Sequence, residues 1–138
     1  MVTTKTLSIP GRGTGEILDI TSQLEEQIAE SDVQSGIVTV FVSSTTAAVT
    51  VMENEPGLQA DFKAFWERTA PRNMNYEHHK SWGEFNGFAH IRTSLLGVSV
   101  VIPFVEMKLT LGIWQQVLLL DFDDKPKTRQ VVVQIIGE

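Results

Sequence analysis

Gly36-Ile37-Val38-Thr39-Val40-Phe41-Val42-Ser43-Ser44-Thr45-Thr46-Ala47-Ala48-Val49-Thr50-Val51-Met52 decides the fold. Gly36 to Ser43 and Thr45 to Met52 are two runs rich in Val, Ile, Thr and Phe, side chains that suit a pleated, half-buried surface. They read as successive strands broken only by Ser43-Ser44-Thr45-Thr46. That break sets hydroxyls at a strand junction, either as ordinary strand residues or as donors that, with backbone amides, hold phosphate oxygens or a polar substrate.

On the N-terminal side, Thr3 to Ile9 reads as a strand that stops at the glycine-rich turn Pro10-Gly11-Arg12-Gly13-Thr14-Gly15. The turn lacks the flanking lysine of a phosphate-binding P-loop and is read as flexible. Ser22 and Glu25 match a capping box and predict a first helix from about Ser22 to Glu30. On the C-terminal side, Pro56 suits the first turn of a second helix whose Leu58, Phe62, Phe65, Trp66 and Thr69 share a face until Pro71. The apolar runs Ser99 to Val105, Lys108 to Leu111, Ile113 to Phe122 and Gln130 to Ile136 read as four more strands.

Asp123-Asp124-Lys125-Pro126-Lys127 has turn chemistry and predicts an antiparallel hairpin between the last two strands. Asp121, Asp123 and Asp124 lack the glycine and distal glutamate of a calcium loop and are read as part of a solvated turn. Gly112 suggests a bulge, beside which Trp114 and Gln115 offer an aromatic wall and an amide, or simply core. Early strands, two helices and late strands exclude a doubly wound parallel sheet. The expectation is an α+β fold with two main helices and a mainly antiparallel sheet, curled into a sandwich-like or barrel-like core.

The 138 residues suit a single domain over 1–138, and 42% hydrophobic with 20% charged residues is a globular composition. A net charge of −6 argues against non-specific nucleic-acid binding, which needs clustered Lys and Arg. No run approaches a membrane span and the start lacks a signal-peptide core, so a cytoplasmic location is expected. With no cysteine, any metal must be held by nitrogen and oxygen.

All three histidines, His78, His79 and His90, fall between Tyr76 and Arg92, together with Glu84 and Asn86. Tyr76 to Trp82 shows no helical or strand period and reads as a loop. His78 and His90 are not at the i, i+4 spacing of paired helical ligands and converge only through the fold. Three readings stay open: satisfied structural histidines, two ligands that with Glu84 bind Zn²⁺ or another divalent ion, and a general acid or base at His90.

Ser44-Thr45-Thr46-Ala47-Ala48-Val49-Thr50, Glu53-Asn54-Glu55-Pro56, Asn75-Tyr76-Glu77-His78, Trp82 to Arg92, Leu96-Gly97-Val98-Ser99, Leu109 to Gln115 and Ile136-Gly137-Glu138 stand in an order and spacing that resemble the YjbQ-like family. The resemblance covers nearly the whole chain. It implies a curled α+β fold, a homotrimer with a pocket at the subunit interface, and secondary thiamine-phosphate synthase activity, which joins a pyrimidine diphosphate to a thiazole phosphate. Mg²⁺ or Zn²⁺ would assist, because two phosphorylated substrates must be bound and pyrophosphate must depart.

By the same resemblance, His78, His90 and Glu84 would be catalytic, with His78 and His90 also holding any metal. Ser44, Thr45, Thr46, Glu53, Asn86, Arg92, Trp114 and Gln115 would bind substrate. The chain departs from the commoner pattern at Ser44, where many members have histidine, at His79 and Glu84, where they have aspartate, and at Ile113, where they have threonine.

Overall fold

Val117, Leu118, Leu119 and Leu120 are consecutive and all buried, which requires a strand covered on both faces. That strand organises the fold. The computed structural model describes residues 1–138. Its elements are β1 (Val2–Gly11), β2 (Glu16–Asp19), α1 (Thr21–Ser31), β3 (Gly36–Val42), β4 (Ala47–Met52), α2 (Pro56–Thr69), α3 (Glu77–Trp82), α4 (Gly87–Leu96), β5 (Ser99–Val105), β6 (Lys108–Leu109), β7 (Gln116–Asp121) and β8 (Lys127–Gly137).

The strands form a five-stranded sheet, β1-β8-β3-β5-β6, and a three-stranded sheet, β2-β7-β4. Every pairing is antiparallel. Alternate residues of the larger sheet, including Val38, Val40, Val131, Val133 and Phe104, meet Ala47, Val49, Val117 and Leu119 of the smaller sheet and Leu24 and Ile28 of α1 in one core. The opposite face of the smaller sheet, Ala48, Leu118 and Leu120, packs with Trp66 of α2 and with Phe88 and Ala89 of α4 in a second core. The α+β expectation is met, with the smaller sheet as a filling between the larger sheet and a helical layer.

Several local expectations change. α1 begins at Thr21 without a capping box: the Thr21 amide donates to Asp19 Oδ1 at 2.9 Å, and the Thr21 hydroxyl accepts from the Val117 amide. Tethering to β7 takes the place of the Ser22–Glu25 cap. The run expected as a strand from Ile113 starts only at Gln116, because Gly112 to Gln115 closes a turn through its own amides. β6 is likewise limited to Lys108–Leu109.

Two helices join the expected pair. The segment around His78, read as a loop, is the short helix α3, closed by Gly83 at φ 68° with its amide donating to His79 O. α4 follows, and its pattern hid it: the buried face carries Arg92 and Thr93, while Ile91 and Leu95 are exposed.

The expected hairpin over Asp123 to Lys127 does not form. β7 pairs with β2 and β4, whereas β8 pairs with β1 and β3, so residues 122–126 carry the chain from one sheet to the other. Ser43 to Thr46 make the same passage from β3 to β4. The two crossings touch where the Phe122 amide donates to Thr46 O, and the Ser43 amide reaches β8 at Gln130 O, each at 3.0 Å. They define the corner at which the cleft lies.

β3 and β8 approach closely at Gly36 and Gly137, which face each other across the pair. A Cβ on Gly36 would collide with the carbonyl oxygen of Ile136, a backbone atom that cannot rotate away. Gly36→Ala should therefore lower stability by about 1–3 kcal/mol or more, the range of overpacking changes. Urea unfolding measures it, and a midpoint equal to that of the unsubstituted chain would refute the close approach.

Candidate functional site

β8 explains the cleft. Val131, Val133 and Ile135 alternate into the core, and two residues before them the same phase brings Arg129 inward, almost wholly buried. A buried guanidinium needs its donors satisfied. Nε donates to Asp121 Oδ2 at 2.9 Å and Nη2 to Asp121 Oδ1 at 2.7 Å, a two-pronged pair with a fully buried carboxylate. Nη1 reaches Ser44 Oγ at 2.7 Å and Nη2 reaches Thr46 Oγ1 at 3.0 Å. The ion pair thus grips the other crossing by its hydroxyls.

Asp123, also buried, is paired with Lys127 at 2.9 Å. Burial alone would raise its carboxyl, but hydrogen bonds from the Lys127 and Thr46 side chains and the Lys125 amide, with one proton shared with Asp124, outweigh it and hold it well below the usual carboxylate range. Asp124 is pushed up instead, first by burial and then by its bond to Asp123. The glycine-rich loop braces this turn. Gly13 (φ 77°) sits where a Cβ would press on the carbonyls of Asp123 and Lys125, while the Thr14 and Gly15 amides donate to Asp123 O and Asp121 O. A loop expected to be flexible is a fitted support.

Above this base opens a cleft of about 630 Å³. Ser43 to Thr46 line one side, Glu84, Asn86 and His90 another, with Lys127 and Arg129 beneath. Asn86, 2% exposed, directs Nδ2 at Glu84 Oε2 (3.3 Å) and Asp123 Oδ2 (3.5 Å). Two acceptors on Nδ2 fix the amide's orientation, and its Oδ1 is left buried with no partner. One turn along α4, His90 stacks edge-on against His78 of α3, ring centroids 4.5 Å apart.

His90 is held below its ordinary value of 6.5, chiefly by burial and then by repulsion from His78. Asp123 and Glu84 oppose that shift, and Lys127 adds to it. The neutral ring therefore prevails at neutral pH, with one nitrogen as donor and the other as acceptor. No three His, Asp or Glu side chains gather into a group that could hold an ion.

The structure separates the sequence candidates. Ser44, Thr45, Thr46, Glu84, Asn86 and His90 share the cleft, with His78 against His90. Arg92 lies elsewhere: buried in the helical layer, it donates to Ala70 O at 3.0 Å and Glu67 Oε1 at 2.8 Å, with its guanidinium over the Phe88 ring. Its pairing holds Glu67 below the usual carboxylate range. Glu53 and Trp114 line a separate cleft with Glu55 and Ile113, and Gln115 folds back to accept from the Gly112 amide at 2.7 Å. His79 braces the fold, its Nε2 accepting from the Gly87 amide at the start of α4.

Reading the sequence missed Arg129, Lys127, Asp121 and Asp123. One signal was present: Arg129 occupies the inward phase of an otherwise apolar strand.

Two outcomes follow. Arg129→Met, which strands the Asp121 carboxylate in the interior, should cost about 3–5 kcal/mol in urea unfolding, and adding Asp121→Leu should restore part of it. An unchanged midpoint in the single variant would remove the ion pair from the stability of the corner. In a proton NMR titration, His90 should show a midpoint below 6.5 that rises in His78→Ala. Because the unfolded chain takes up this proton more readily than the folded one, stability from His90 is complete above about pH 6.5 and declines as pH falls through the folded midpoint.

The description "UPF0047 protein YjbQ-like" matches residues 5–138 of the chain. A UPF0047 protein of Archaeoglobus fulgidus is 40% identical over 121 residues, covering 88% of this chain and 91% of that protein. The UPF0047 protein YjbQ of Escherichia coli O157:H7 is 31% identical over 136 residues, with 97% of each chain covered. Among solved structures, a hypothetical protein of Aeropyrum pernix superposes with a TM-score of 0.90 at 31% identity over 99% of each chain. A YbjQ-like protein of unknown function from Sulfolobus solfataricus gives 0.88 at 29% identity over the full length of both.

Proposed function

Because the chain belongs to the UPF0047 family of YjbQ-like proteins, we propose that its cleft is the active site of a transferase joining a pyrimidine diphosphate to a thiazole phosphate. The observation that carries this reading is the unpartnered, buried Oδ1 of Asn86 one helical turn from neutral His90. A buried acceptor without a donor costs free energy that a ligand bearing an N–H or a bound cation can recover. In the reaction, the C–O bond to the diphosphate breaks with its electron pair on pyrophosphate, and a C–N bond forms to the thiazole nitrogen. Asn86 would orient the heterocycle, and His90 would donate a hydrogen bond to the departing oxygen.

The cleft has little uncommitted positive charge, since Arg129 is matched by Asp121 and Lys127 by Asp123. Departing pyrophosphate therefore calls for an added cation. Mg²⁺ needs only one or two protein oxygens besides phosphates and water, and Glu84 on the cleft wall could supply one; bound there it would neutralise charge on the leaving group. A closed tetrahedral zinc site fits less well, because no third side-chain ligand joins His78 and His90. The same reading includes a cytoplasmic homotrimer. Exposed Ile37, Phe41, Val101 and Ile136 on the outer face of the larger sheet support self-association, and Phe41 also borders the cleft. No helix is long and apolar enough to cross a membrane.

The edge-on His78–His90 pair favours a second reading, a non-catalytic protein that binds a small molecule or a divalent ion through these two imidazoles. Incubation with both phosphorylated precursors and Mg²⁺ separates the two. The transferase reading expects thiamine phosphate, with kcat reduced about 10²-fold or more in His90→Ala. No product, together with Zn²⁺ or Mn²⁺ binding that disappears in His78→Ala, would establish the binding protein instead.

A further inference from the structure

Four consecutive hydroxyl residues border the cleft, yet one differs from its neighbours in what its oxygen already does. Ser44 Oγ accepts from Arg129 Nη1 at 2.7 Å and from the Thr46 amide at 3.1 Å. A serine oxygen has two lone pairs and one hydrogen. Both lone pairs are taken, so Ser44 can act toward a ligand only as a donor, and its O–H is given to no protein acceptor. The side chain is half-buried on the cleft wall. Ser43 and Thr45, both exposed, have no side-chain bonds that constrain their rotors.

Arg129 adds to this. Of its five N–H donors, Nε and one of Nη2 serve Asp121, the other of Nη2 serves Thr46, and one of Nη1 serves Ser44. One Nη1 hydrogen is left, on a guanidinium that the Asp121 pair holds rigid at the bottom of the cleft. Two oriented donors on adjacent atoms, with no acceptor of their own, match an oxygen that carries negative charge without a proton.

We infer that Ser44 Oγ–H and the spare Nη1–H of Arg129 form a two-donor subsite for a phosphoryl oxygen of the substrate. This rests on the cleft's being the substrate site and names the group taken at its Ser44 end, opposite the acceptor at Asn86. The arrangement sorts the cleft by polarity: a ligand's donor goes toward Asn86, and its phosphate toward Ser44 and Arg129. Because Asp121 and Asp123 match the charges of Arg129 and Lys127 and Glu84 stands on the wall, the subsite acts through oriented dipoles. It should hold a phosphate more tightly when a divalent cation neutralises the rest of its charge.

Calorimetry with inorganic pyrophosphate, with and without Mg²⁺, tests this on the unsubstituted chain, Ser44→Ala and Ser44→Thr, with thermal unfolding of each recorded alongside. The expected result is binding that strengthens with Mg²⁺, weakens about tenfold or more in Ser44→Ala, and stays within about threefold in Ser44→Thr, which keeps the hydroxyl. If Ser44 only anchors Arg129, Ser44→Ala melts earlier and binds pyrophosphate as before, which overturns the inference. So does an absence of binding in the unsubstituted chain. Ser44-dependent pyrophosphate binding without any thiamine phosphate would leave the subsite standing and remove the transferase reading. Product formed equally well by Ser44→Ala would do the reverse.

Discussion

The corner of this molecule depends on one buried ion pair, Arg129 with Asp121. Asp121 is fully buried and Arg129 almost so, and each is tolerable because the other satisfies it in a two-pronged geometry and because hydroxyls take up guanidinium donors that remain. Those hydroxyls belong to Ser44 and Thr46, on the passage from β3 to β4. Asp121 ends β7 and Arg129 lies near the start of β8, on either side of the other passage. A single charge–charge contact thereby ties together two of the places where the chain changes sheets. Such places are where backbone groups run short of ladder partners and a cleft can form.

The sandwich makes that corner rigid. β7 is covered by the larger sheet on one side and by α2 and α4 on the other, and Asn86 stands at the N-cap of α4 with His90 one turn along it. Arg92, from the same helix, is sunk among Phe88, Phe122 and Glu67, and so fixes the helix from behind. His79 performs a similar task from α3 by accepting the Gly87 amide, so α3 and α4 meet through a side chain as well as through packing. The cleft is therefore built by elements that are each held from the side away from the ligand.

Much of this was legible in residue order. Strands β3, β4 and β5 and helix α2 follow from β-branched runs, Pro56 and a periodic apolar face. Of the residues singled out from those motifs, Ser44, Thr45, Thr46, Glu84, Asn86 and His90 line one cleft. What escaped has a physical cause in each case. α4 conceals itself because a buried arginine and two exposed aliphatic residues invert its hydropathy pattern, and α3 is too short to show a period. The turn chemistry at Asp123 to Lys127 is real, but a turn signal reports a change of direction and not which strand the chain meets afterward. Arg92, expected to bind substrate, braces the helical layer, while Arg129, which the sequence did not single out, floors the cleft: burial depends on partners outside any local window, Glu67 for Arg92 and Ser44 for Arg129.

The inward row Arg129, Val131, Val133, Ile135 also bears on how β8 finds its alignment. A strand of eleven residues between β1 and β3 could be paired in several registers, and its buried row is what selects among them. A slip of one residue would carry Arg129 to the outer surface, leave Asp121 buried without a cation and turn three aliphatic side chains toward water. The guanidinium that floors the cleft is thus also a proofreading mark for assembly of the larger sheet: misaligned chains forfeit the pair, and the corner closes only when the register is correct.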